Sequence, residues 1–379
     1  MESLVAAAVV IVVTATPYLS YAILYLALRP HGSPATKQAA EPTVSVVLPT
    51  YNEADIVERK LEDLCAQDYP LDRVELIIVD ASDDETVERT LEFFDDCQDP
   101  KLTIIEEEER RGLAVALNEA YAAAAGDVVV KTDCDSLLAP DAIREAVANL
   151  ADPAVGGVTG QNAEVLGGSA VEAGYRGIQA HIQALESHLD STLIFHGPCS
   201  AFDADAIAPI DTDSIADDSE LALKIRKGGK RVLFDPAVKY REAAHSDFRK
   251  RRQQKDRRAM GLLRLLLRQR AMLGGYGRYG WVILPFNWWF MIVSPWLVVA
   301  CIIITSLAAV VNVGIVGLIF PAAILGGIFF GGRDFLGPFQ PAYSLFDTQV
   351  SLWIASIRLL FGHGDGTWEI DADLRDMFE

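Results

Sequence analysis

Asp133 and Asp135 close the run Val128-Val129-Val130-Lys131-Thr132-Asp133-Cys134-Asp135, two carboxylates separated by one residue at the end of an apolar stretch. Two more acidic clusters follow apolar runs in the same way. Pro49-Thr50-Tyr51-Asn52-Glu53 ends one, and Asp80-Ala81-Ser82-Asp83-Asp84 ends another. Carboxylates converging on one edge repel each other unless a cation sits among them. Hard divalent ions such as Mg²⁺ and Mn²⁺ take carboxylate oxygens and keep waters and substrate phosphates as further ligands. The chemistry on offer is therefore the binding of a metal carrying a diphosphate. An Asp-x-Asp alone is more often an exposed turn; what distinguishes this one is its place after a buried strand, in register with two other acidic strand ends.

The elements that must position these residues alternate regularly. Residues 43–49, 74–80, 101–106 and 127–133 are short β-branched and apolar runs of strand length, and 53–66, 85–97 and 112–125 read as helices between them. Gly126 is a plausible stop for the last. Strands joined by single helices require right-handed crossovers and a mainly parallel sheet, whose ligands bind outside the carboxyl ends of the strands. No G-x-G-x-x-G follows the first strand and no G-x-x-x-x-G-K-[ST] occurs, which excludes a dinucleotide dehydrogenase and a P-loop.

Composition is segregated along the chain. Hydrophobic residues make up 51% and mean hydropathy is +0.20, yet the formal net charge is −20. Only 10 of 33 basic residues are lysines, a bias that suggests a haloarchaeal surface adapted to high salt, where screening is short-ranged. So acidic a chain is not expected to partner nucleic acid. The five cysteines show no C-x-x-C spacing, which argues against structural zinc and a disulfide framework.

Residues 3–28 carry no charge and, as a helix of roughly 39 Å, are long enough to span a bilayer. A signal peptide would begin with basic residues and have a shorter apolar core; here the first basic residue is Arg29, so a retained anchor is expected. Apolar stretches at 281–308 and 310–331 predict two more spans, while 344–362 could lie at the interface or cross it. Residues 249–278 hold 11 basic residues against one acid, Asp256, the pattern of an amphipathic helix on an anionic membrane surface. The positive-inside rule then puts the α/β domain in the cytoplasm of a multi-pass protein of the cell membrane.

Seven segments in order resemble a family 2 glycosyltransferase, specifically the membrane-integrated members related to cellulose, chitin and hyaluronan synthases. They are VSVVLPTYNE (44–53), VDASDD (79–84), GLAVALN (112–118), TDCD (132–135), HGPCSAF (196–202), DDSELALKIRKGGKRV (217–232) and QKDRR (254–258). The resemblance implies a GT-A fold, α/β and Rossmann-like with a mixed, mainly parallel sheet, flanked by transmembrane helices and an interface helix. It implies inverting transfer from a nucleotide-diphosphate sugar, with Mn²⁺ or Mg²⁺ as cofactor. By position, Pro49, Tyr51, Glu53 and Asp80 would hold the base and ribose, Asp133 would face the nucleotide, and Asp135 with Asp133 the metal. Asp218 would be the general base. Gln254, Arg257 and Arg258 would lie near the diphosphate and acceptor, and His196, Gly197, Pro198 and Asp217 would line the acceptor site.

These roles suit the chemistry. Negative charge builds on a departing diphosphate, where a metal and arginine stabilise it, and an attacking hydroxyl needs a base. Asp217 and Asp218 also suit a helix N-terminus as simple caps, and the two arginines also suit a basic membrane-facing surface. Three departures from the family pattern stand out. Asp217 replaces the Glu of the family's Glu-Asp pair, Leu113 replaces its Lys, and Arg258 replaces the Trp of Q-x-x-R-W. The last weakens the case for a processive polymerase. His245 is a lone candidate for an extra metal ligand.

The expected organisation is a transmembrane helix at 1–29, a linker at 30–42, a cytosolic catalytic domain at 43–247, a basic interface segment at 248–278, transmembrane helices at 279–335 and an interface helix and tail at 336–379. The expected activity is transfer of a sugar to a membrane-associated acceptor, polyprenol- or dolichol-linked, or a glycan. The alternatives are a processive polysaccharide synthase, a polyprenyl-phosphate sugar synthase, and, from a different class, a non-catalytic membrane scaffold or sugar-nucleotide sensor.

Overall fold

A computed structural model describes residues 2–95, 99–166, 170–243 and 248–361. His245 and the tail beyond 361 lie outside the described residues. The described residues of Met1–Pro30, Ser169–Leu185 and Ser246–Asp365 form one compact unit, and those of His31–Gly168 and Glu186–His245 form another. The stretch 43–247 is thus interrupted by a segment that belongs with the helical unit.

The α/β unit holds strands β1 (Val44–Thr50), β2 (Val74–Asp80), β3 (Lys101–Glu106), β4 (Val128–Lys131), β5 (Ser136–Leu138), β6 (Val155–Leu166), β7 (Ser200–Asp203) and β8 (Arg231–Ala243). Its helices are α2 (Val57–Cys65), α3 (Thr86–Phe94), α4 (Leu113–Ala123), α5 (Ala142–Leu150) and α7 (Asp217–Lys227), together with the end of α6 (Ala170–Leu189). The strands form one sheet in the order β3-β2-β1-β4-β7-β6-β8-β5. β3, β2, β1 and β4 run parallel, so Thr50, Asp80, Glu106 and Lys131 end on the same edge. β7 is antiparallel to β4 and β6, which makes the sheet mixed.

Alternation along the strands builds a core on each face, since successive side chains point to opposite sides. Val46, Leu48, Ile78 and Val130 pack on one face with Leu61 of α2; Val47, Ile77, Val79 and Val129 pack on the other with Leu117 of α4. A strand covered on both sides reads as a continuous apolar run, which is why β1 and β2 were legible. Gly126 has a different role from the expected helix stop. α4 ends at Ala123, and a Cβ on Gly126 would lie 2.6 Å from the backbone N of Ser45 in β1, so only glycine permits this approach.

The Pro/Ala-rich segment 30–42 is not a free linker. Lys37 pairs with Glu145 at 2.6 Å and with the buried Asp235 at 2.5 Å. Ser33 Oγ donates to Asn149 at 2.5 Å, and Gln38 N–H donates to the carbonyl of Ala148 in α5.

The helical unit contains α1 (Glu2–Leu28), most of α6, α8 (Phe248–Arg268), α9 (Leu284–Trp288), α10 (Ser294–Val313), α11 (Ile319–Gly331) and α12 (Gln340–Leu360). Glu2–Leu28 and the helical stretch Tyr279–Gly331, of 27 and 53 residues, are each long and apolar enough to cross a bilayer. Only 6% of the most apolar window of each is buried, and side chains such as Val12, Leu26, Val311 and Ile315 are exposed. α12 packs on α8 through charge. Arg252 of α8 donates to Asp347 at 2.8 Å and to Ser351 at 2.7 Å, and Lys255 reaches Asp347 at 3.0 Å and Glu172 of α6 at 3.6 Å. The basic segment is therefore not wholly an exposed surface helix: part of its charge is spent on buried carboxylates of its own unit.

Candidate active site

At the ends of β1 and β2 the polar clusters are tied together. Register pairs Thr50 with Asp80, and Thr50 Oγ1 donates to Asp80 Oδ2 at 2.5 Å. Ser82 donates to the same carboxylate through its backbone N–H, at 2.8 Å, and its hydroxyl, at 2.7 Å. Asn52, in left-handed backbone conformation at φ 53°, exchanges hydrogen bonds with Asp83, and its own N–H donates to Ser82 Oγ. Glu53 is buried, and its N–H donates to Thr86. The Arg110 guanidinium lies 3.9 Å over the Tyr51 ring, a cation–π contact that fixes the ring at the strand end. Pro49 precedes these residues within β1.

The second cluster forms around β4. Lys131, its last residue, is 2% exposed. Its ammonium lies 2.7 Å from Asp133 Oδ1, 3.4 Å from Asp218 Oδ2 and 4.0 Å from Asp217 Oδ2. Asp217 and Asp218 occupy the first turn of α7, where the helix dipole favours negative charge. Neither caps the helix, since the N-cap residue is Ala216 and no side-chain cap hydrogen bond is made among the described residues; their place at the site remains. Gly197 closes over the group: a Cβ there would sit 2.6 Å from Asp133 Oδ2 and 3.1 Å from Asp218 Oδ2. The loop is anchored by Thr132 Oγ1 donating to the carbonyl of Pro198, and by His196 N–H donating to Thr159 Oγ1.

Burial and the charge of Asp217 push Asp218 up to about 8, while Lys131 pulls it back. Burial alone would lower Lys131, but Asp133, Asp218 and Asp217 hold its ammonium well above the ordinary range. Asp218 Oδ1 is buried and has no hydrogen-bond partner among the described residues. An acceptor oxygen of this kind, adjacent to a fixed ammonium, can receive a proton from a hydroxyl.

A model of glycosyl transferase family 2 matches residues 45–211. Over almost its whole length the chain is also similar to the mannosyltransferase PcManGT of Pyrobaculum calidifontis, solved with GDP-Man and Mn²⁺. The two are 30% identical with a TM-score of 0.79, covering 94% of this chain and 99% of that one. The chain is a family 2 glycosyltransferase. It is 27% identical over 246 residues to an N-acetylglucosaminyltransferase of Rhizobium meliloti, covering 58% of this chain and 56% of that protein. It is 27% identical over 202 residues to a poly-beta-1,6-N-acetyl-D-glucosamine synthase of Staphylococcus aureus, covering 51% and 48%. The chain spans about half the length of these curated relatives.

In this glycosyltransferase Asp133, Asp217, Asp218 and Gly197 come together, as do Tyr51, Glu53 and Asp80 at the neighbouring strand ends. Gln254, Arg257 and Arg258 lie on α8, in the helical unit. Asp133 and Asp135 supply hard oxygen donors. Among the described residues no three His, Cys, Asp or Glu side chains gather as a metal cage. That donor set fits a divalent ion completed by diphosphate oxygens and water rather than one held by protein alone. Lys131 was not singled out from sequence. Its signal was there, a lysine ending an otherwise apolar strand directly before Thr-Asp-Cys-Asp, but an end-of-strand lysine ordinarily reaches solvent.

Proposed function

We propose that this glycosyltransferase moves a single sugar, with inversion, from a nucleotide-diphosphate sugar to a lipid-linked acceptor at the membrane. The observation that carries the reading is Asp218: its side chain only 12% exposed, paired through one oxygen to Lys131, with its other oxygen lacking a hydrogen-bond partner among the described residues and Gly197 of the proposed acceptor loop against it. Asp218 accepts the proton of the attacking hydroxyl as the bond from the anomeric carbon to the diphosphate breaks. Tyr51, Glu53 and Asp80 bind the nucleoside, with Pro49 shaping the strand end. Asp135 and Asp133 would hold Mn²⁺ or Mg²⁺, which when bound would supply positive charge for the diphosphate. Gln254, Arg257 and Arg258 contribute to the diphosphate and acceptor side, and His196, Pro198 and Asp217 complete the acceptor loop.

GDP-mannose is the first donor to test, because the mannosyltransferase solved with GDP-Man is similar over nearly the full chain. The lipid-linked acceptor is supported by two helical stretches whose apolar side chains face outward, which in water would be costly. The same feature supports a multi-pass membrane protein with its α/β unit in the cytoplasm, and the acidic, lysine-poor composition supports work at high salt. The replacement of the family Trp by Arg258 favours single transfer over processive synthesis.

The test is incubation of the purified chain with labelled nucleotide sugars, Mn²⁺ and polyprenol-linked acceptors at high salt. Label moves into lipid-extractable product of one added sugar, and Asp218→Asn abolishes the transfer while nucleotide binding persists. Long polymer on the wild type, or full turnover by Asp218→Asn, overturns the reading.

A further inference from the structure

We infer that Lys131 is a positioning residue, a resident cation that holds the base Asp218 in place and keeps a second divalent ion out of the space between Asp133, Asp217 and Asp218. The inference rests on the proposed role of Asp218. Three carboxylates from two distant segments surround one ammonium; as they lie they form no ready-made cage for a metal ion, but their combined negative charge would draw a divalent ion toward them if nothing else neutralised it. The position between them is taken. The Lys131 backbone is clamped in the sheet, opposite Val47 of β1 and Ser200 of β7, so the ammonium is delivered by a rigid strand. It touches Asp133 at 2.7 Å and Asp218 at 3.4 Å. A Cβ on Gly197 would lie 2.7 Å from Nζ, so the acceptor loop closes directly over it.

Two consequences follow from this geometry. An N–H directed at Asp218 Oδ2 fixes rotation of the carboxylate and leaves Oδ1, which has no partner among the described residues, as the proton-accepting oxygen. A monovalent ammonium also leaves the three-carboxylate group net negative, so the base is restrained without being fully neutralised. A divalent ion carrying the diphosphate would then be held by Asp135 together with Asp133. The lysine that the family carries after the glycine near 112 is Leu113 here; Lys131 is a cation in another place with another task.

Lys131→Met in the full-length chain is the test, read by Mn²⁺ stoichiometry in electron paramagnetic resonance titrations with GDP present, and by kcat and KM for the donor. The variant gains one Mn²⁺ per chain, loses at least about tenfold in kcat and keeps donor KM within about threefold. Adding Asp217→Asn to it removes the extra ion. A variant with unchanged Mn²⁺ stoichiometry and unchanged kcat overturns the inference. Should Lys131→Met not fold, Asp218→Asn decides: Mn²⁺ affinity equal to wild type supports exclusion of the ion from Asp218, and weakened affinity overturns it. The ion counts do not depend on turnover, so a wild type that transfers no sugar sinks the proposed function and leaves this test readable.

Discussion

Gly197 stands so close to Lys131 that a methyl group on its Cα would sit 2.7 Å from the ammonium nitrogen, inside van der Waals contact. The Gly197 loop and the strand-end cation are thus closely packed. Gly197→Ala must push the loop, or Asp133 and Asp218, apart by several tenths of an ångström. Displacements of that order in a reacting group cost about 10- to 100-fold in rate. The expected result is a loss of that size in kcat, with the melting temperature lowered only modestly. Wild-type turnover by Gly197→Ala would show that the loop is not held against the carboxylates.

The pH dependence follows from Asp218, pushed up to about 8 by burial and Asp217. A base must be ionised, so kcat should rise as pH climbs through about 8. Stability should move the other way. Between the ordinary aspartate value and about 8 the folded chain keeps a proton that the unfolded chain has released, so unfolding becomes easier as pH rises through that window. Asp218→Asn removes the penalty. Thermal melts in detergent at pH 6 and pH 9 should show the variant gaining on wild type at the higher pH, and a gap independent of pH would contradict the assignment.

Thr50→Val deletes the 2.5 Å hydrogen bond to Asp80 while preserving shape. Asp80 is 3% exposed and keeps only its contacts with Ser82 among the bonds described above. Losing a bond to a buried carboxylate costs about 1–3 kcal/mol. If Asp80 holds the nucleoside, affinity for GDP measured by calorimetry should weaken several-fold together with the loss of stability. Unaltered GDP affinity in a destabilised variant would confine Asp80 to a structural role.

Asp347→Asn tests the charged contact between α8 and α12. Asp347 is buried and bonds both Arg252 and Lys255, and breaking a buried pair from one side costs about 3 kcal/mol. Arg89→Ala, which removes a pair with the exposed Glu85, should stay within about 1 kcal/mol. Denaturation curves that rank the two the other way would show that the α8–α12 contact is not held by Asp347.

Much of this was legible along the chain. Continuous apolar runs place β2 and β3 at the limits expected and β1 one residue further along, because strand formation and sheet burial depend on neighbours in sequence. Order and spacing gave the seven motifs, and hydropathy gave the long apolar helical stretches. Fusing 30–42 to α5 and β8 through Lys37, Glu145 and Asp235, and docking Arg252 and Lys255 on Asp347, were not legible, since each pair joins residues about 90 or more apart in sequence.

By itself, then, the sequence determined that carboxylates would end parallel strands on one edge and that something positive had to accompany them. Tertiary structure decided what that was at Asp218: the Lys131 ammonium, carried on a strand and roofed by Gly197. The physical reason is that alternation fixes which face a residue takes, whereas an ion pair is fixed by where a long side chain meets charges brought in from α7 and from the loop that follows β4.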